Sequence, residues 1–148
     1  MTRTLLILSL TLTAVAAAAD RPYRAALEGK WIQRDTHLVL DVTRSADGMT
    51  FTYSVPGSAK AADRLSFDTQ FDGADVPIVM NDAPTGQTIA ITVLDDRHAA
   101  SITKFQGKTT GTSKSELSDD GKVLRVDNDV APAGSANTVH RTEVWDKQ

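Results

Sequence analysis

From Trp31 onward the chain alternates apolar and polar residues with a period of two. That is the repeat of a strand with one buried and one wet face. HLVLDV, residues 37–42, puts Leu38, Leu40 and Val42 on one side. MTFTYSV, residues 49–55, sets Met49, Phe51, Tyr53 and Val55 against Thr50, Thr52 and Ser54. LSFDTQF, residues 65–71, sets Leu65, Phe67 and Phe71 against Ser66, Asp68 and Gln70. TIAITVL aligns Ile89, Ile91 and Val93, and four looser stretches follow: AASITKF, TTGTSKSEL, KVLRVDND and NTVHRTEVW. Asp-Gly pairs at 47–48, 72–73 and 120–121 mark turns, where glycine accepts positive φ. Pro77 and Pro84 bracket residues 72–86 as an irregular loop, and VPIVM within it reads as an exposed apolar contact or a lid. About eight long strands and one short one around Trp31 result, with room for one helical turn in residues 20–28. Even spacing without a convincing helix predicts one all-β domain, an antiparallel sandwich or barrel.

Residues 1–19 read differently. Arg3 supplies a positive start, an apolar run spans Leu5 to Val15, and four alanines precede Asp20. That is the pattern of a cleavable signal helix, with cleavage expected after Ala19 and a secreted or periplasmic destination. The run is short and hydroxyl-rich for a membrane span, which takes about 20 strongly apolar residues. No later stretch would span a bilayer. Residues 20–148 then form the domain, large enough to bury a core without disulfides. The chain has no cysteine, which removes thiolate chemistry.

The formal net charge is −3, with charges of both signs interspersed. Nucleic acid is excluded as a partner, because phosphate contacts need clustered cations. Aromatic residues make up 5 % of the chain, too few for a single-strand stacking platform.

Several short motifs come in a familiar order. Gly29-Lys30-Trp31 stands at the first strand, and FDGADVPI occupies residues 71–78. A Gly/Pro loop, TIAITVLDDRHAASI, SDDGKVLRV and a terminal EVWDKQ follow. Together they resemble the lipocalin-like (calycin) exported bacterial β-barrel proteins, a group of unassigned function. The resemblance implies an up-and-down barrel of 8–9 strands, with Trp31 across one end. It also implies a basic residue of the last strand packed on that indole, for which Arg141 is the candidate. Gly29, Trp31 and Arg141 are thus the expected closure residues.

A barrel interior is the first place to seek a ligand. Residues 30–94 hold 21 large apolar or aromatic side chains and residues 95–148 hold 10. The later strands offer Ala99, Ser101, Thr103, Thr110, Thr112 and Ser113 instead. Leu40, Phe51, Tyr53, Phe67, Ile89, Ile91 and Thr103 are the expected cavity lining. Small hydroxyl residues on one side would leave room for a molecule and orient its polar head. The competing reading is that Phe and Leu simply fill the barrel.

Other chemistry is sparse. His37, His98 and His140 lack metal-ligand spacing, so neither metal nor cofactor is expected. Asp95-Asp96 and Asp119-Asp120 sit in turns. Arg141 and Glu143 share one face of the last strand, either as an interior polar anchor or, the favoured expectation, as a surface pair. Nothing nominates a catalytic acid, base or nucleophile. The leading expectation is therefore an exported barrel binding a small, partly apolar molecule. The alternative is an envelope interaction domain with a filled barrel, its partner unnamed by the sequence.

Overall fold

The computed structural model describes residues 22–57, 64–131 and 137–148. The expected signal helix, residues 1–19, lies outside them. Ten strands form in chain order: β1 (Gly29–Gln33), β2 (Val39–Arg44), β3 (Met49–Ser54), β4 (Leu65–Thr69), β5 (Val76–Met80), β6 (Ala83–Val93), β7 (His98–Phe105), β8 (Lys108–Leu117), β9 (Val123–Val130) and β10 (Val139–Lys147). Each pairs antiparallel with its chain neighbours, and β1 pairs with β10 to close an up-and-down barrel. Closure leaves no strand edge exposed along the ring. Among the described residues no helix is long and apolar enough to cross a membrane.

The count of ten corrects the expected 8–9, and the difference lies in the presumed loop of residues 72–86. VPIVM is strand β5, with Ile78 buried, and Pro84 lies inside β6. Proline is tolerated here because the ladders are locally interrupted. The β4–β5 pairing reaches only Val79, short of Pro77, and the β5–β6 register shifts between Pro77 and Val79. VPIVM is therefore neither a loop patch nor a lid.

The inward faces of the first half follow the alternation. Leu40, Val42, Met49, Phe51 and Phe67 are buried. Phe51 and Phe67 are directly opposite on β3 and β4, their rings stacked with centroids 4.9 Å apart. The lead-in forms a short helix over residues 22–27 that buries Tyr23 and Leu27. Arg24 donates to the Gln70 carbonyl beyond β4, and Tyr23 meets Ser115 of β8 through their hydroxyls at 2.8 Å. The helix is thus tied to opposite parts of one rim and plugs that end.

Trp31 fixes the plug from below. It is fully buried, and its indole N–H donates to the Leu27 carbonyl at 2.8 Å. The cation on its ring is Lys147, with Nζ 5.2 Å from the centroid, and not Arg141. The register explains this: Lys147 is the direct cross-strand partner of Trp31, whereas Arg141 pairs with Asn128 and is exposed. Six residues along a strand is about 20 Å, beyond any side chain's reach. Gly29 serves the same junction. Its φ is +133°, and a Cβ there would lie 3.0 Å from Lys147 Cε. Gly48, by contrast, is not a positive-φ turn glycine as its Asp-Gly context suggests. It is needed because the Thr69 carbonyl would lie 2.1 Å from a Cβ.

Candidate functional site

Beneath the plug lies an interior cavity of about 310 Å³. Leu40, Phe51, Tyr53, Phe67, Ile89, Ile91 and Thr103 all line it. So do Tyr23 and Leu27 of the helix, and Ser101, Ser113, Ser115, Leu124, Val126, Asn128, Glu143 and Trp145 of the later strands. Trp31 is not among the lining residues; it lies behind them at the β1–β10 seam.

The two sides of the cavity differ chemically. One is an unbroken run of rings. Tyr23 meets Phe71 edge-on at 6.1 Å, Phe71 meets Phe51 at 6.0 Å, and Phe51 stacks on Phe67. Tyr53 continues the run from Phe67 at 6.4 Å to Trp145 at 5.8 Å. Such contacts add roughly 0.5–1.5 kcal/mol each beyond area burial, so this wall is stiff. The other side is built from Ser101, Thr103, Ser113, Ser115 and Asn128 on β7, β8 and β9. These side chains are small, so they leave the volume that the aromatic side does not fill.

Some of the polar groups are already engaged. Ser113 donates to Asn128 Oδ1 at 2.6 Å, and Ser115 bonds Tyr23 and the Ala99 carbonyl. The hydroxyls of Tyr53, Ser101 and Thr103 have no hydrogen-bond partner among the described residues. These three face the cavity and can serve a guest molecule as donors or acceptors.

Glu143 overturns the expectation of a surface pair with Arg141. It lies on the interior face of β10, half-buried, and accepts a 3.3 Å hydrogen bond from the Trp145 indole N–H. Burial raises its carboxyl above the ordinary range, opposed by the Trp145 hydrogen bond and then by Arg141. Burial likewise raises the Tyr53 phenol, and the Glu143 charge adds to that shift. Tyr23 is pushed up to about 12 by burial, partly offset by its bond to Ser115. Neither phenol is therefore an anion near neutral pH.

Sequence reasoning placed no residue after Thr103 firmly inside. Glu143 was nevertheless findable: Trp145 is the largest apolar residue of β10, and Glu143 shares its parity. Comparison with protein-family models and with curated proteins finds no match for this chain.

The histidines lie elsewhere. His37 is exposed in the β1–β2 turn, with φ +59°. His98 contacts Asp95 at 2.7 Å, and His140 contacts Asp129 at 2.9 Å on the outer surface. Among the described residues no group of three or more metal-ligating side chains is arranged to hold an ion. Ala99 is buried, but Thr112 is exposed and outside the cavity.

Proposed function

We propose that the protein is a calycin-like binding module that holds a small, partly apolar molecule inside its barrel. Export to the periplasm or beyond, directed by residues 1–19, is part of the same reading. The observation that carries it is the cavity of about 310 Å³, with a continuous aromatic wall opposite unpartnered hydroxyls. Pockets for small molecules begin near ~300 Å³ and pair apolar walls with a few polar groups. A filled barrel would need large side chains on β7 and β8, where Ser101, Thr103, Ser113 and Ser115 stand instead. The alternative, a filled interaction domain, drew on VPIVM as an exposed loop, and in β5 that feature no longer supports it.

The test is a thermal-shift and native mass-spectrometry screen with fatty acids, isoprenoids, haem and aromatic metabolites. A genuine ligand at 100 times its Kd raises stability by about 2.7 kcal/mol. Ser101→Phe, which fills the cavity from β7, is expected to abolish the shift while the barrel remains folded. Stabilisation by no member of the screen would sink the proposal.

A further inference from the structure

The cavity's electrostatics narrow the class of guest. Setting aside the phenols of Tyr23 and Tyr53, Glu143 is the one ionisable side chain among the described residues lining it. One carboxylate oxygen, Oε2, accepts the Trp145 N–H, and no donor of the described residues bonds the other. Arg141, two residues along the same face, forms no ion pair with it and is exposed. A half-buried carboxylate with one neutral donor, and with Arg141 acting on it only without contact, is incompletely compensated. Beside it, Tyr53 and Trp145 meet edge-to-face with centroids 5.8 Å apart. A carboxylate flanked by aromatic rings is the environment that favours an organic cation, through charge-assisted hydrogen bonds and the attraction of ring faces for positive charge.

We propose that the interior selects a small amine, its ammonium group on Glu143 and its apolar body along the aromatic wall. This rests on the binding-barrel reading and specifies its ligand. The volume supports a compact guest: at ~30 Å³ per water, the cavity holds about ten waters, room for one ring and a short chain. A fatty acid is disfavoured twice. Its chain is too long, and its carboxylate would bring a second negative charge beside the first.

Three probes with one body and three heads decide the matter: 4-phenylbutylamine, 4-phenylbutanol and 4-phenylbutyrate, titrated by calorimetry at neutral pH. The amine is expected to bind about tenfold more tightly than the alcohol, the usual advantage of a charge-assisted over a neutral hydrogen bond, with the butyrate weakest. In Glu143→Gln the amine and alcohol should converge to within about twofold while the alcohol keeps its wild-type Kd. The wild-type ranking decides by itself if that variant folds poorly. An alcohol equal to the amine, or a butyrate that binds best, overturns the amine assignment and leaves the binding barrel standing. Binding of none of the three, with no stabilisation in the wider screen, overturns the binding barrel and the amine with it.

Discussion

Lys147 Nζ sits 5.2 Å from the centre of the Trp31 ring and donates to the Ala26 carbonyl at 2.6 Å. One ammonium therefore joins the last strand, the first strand and the helical plug. A hydrogen bond from a charged donor contributes roughly 1.5–3 kcal/mol, and a cation over an indole ~0.5–2. Lys147→Met, which keeps most of the stem, is expected to lower unfolding free energy by about 1–3 kcal/mol. Arg141→Ala should change it by less than ~0.5 kcal/mol, because Arg141 is exposed and packs on no indole. Urea unfolding of both variants checks the contrast, and equal losses would return the closure role to Arg141.

Trp31 is expected to report a dry environment. In Trp145→Phe it is the sole indole, and its emission should be blue-shifted and poorly quenched by iodide. Trp31→Phe removes the N–H that bonds the Leu27 carbonyl and leaves a small void, a loss of about 1–3 kcal/mol. Emission typical of wetted indole would show that the seam is open.

Glu143 gives the barrel an opposing pH dependence. Its folded carboxyl is raised, so between the ordinary and raised values the folded state binds more protons than the unfolded chain. Stability from this group is therefore present at low pH and lost as pH rises through that window. Asp95, Asp120, Asp127 and Asp146 are lowered, chiefly by hydrogen bonds from Arg97, Ser118, Arg125 and Arg34 respectively, and act the other way. Comparing wild type with Glu143→Gln cancels those carboxylates. The stability of the variant relative to wild type is expected to rise as pH climbs from the ordinary carboxyl range through the raised value, and then to level off. A flat difference would mean that the carboxyl is not desolvated.

Gly48→Ala places a methyl group against the Thr69 carbonyl, a contact that only backbone movement relieves. Overpacking of this kind costs typically 1–3 kcal/mol. Gly57, unlike Gly48, has positive φ but open space around a Cβ, so Gly57→Ala reports conformational strain where Gly48→Ala reports collision. Thermal unfolding should show the larger loss at Gly48.

The inward face was readable wherever the two sides of a strand differ in polarity. Phe51 against Thr52, or Ile89 against Thr88, leaves one sensible register. Along β8, Ser113 and Ser115 alternate with Thr112 and Lys114, so both faces are polar and the period carries no direction. Pro77 in β5 and Pro84 in β6 concealed a strand, because a proline's effect depends on which neighbour lacks a hydrogen bond, a property of the ladder and not of the residue. The resemblance asks only for a basic residue on the last strand, a description that both Arg141 and Lys147 of β10 meet. What selects Lys147 is the antiparallel register across the seam, which pairs the last turns of the chain with Trp31.

Lys147 and the Ala26 carbonyl that it grips are 121 positions apart. The stopper can therefore be fastened only once β10 has come round to β1. A chain truncated before Lys147 could still bring its strands together, but its ring would lack that latch.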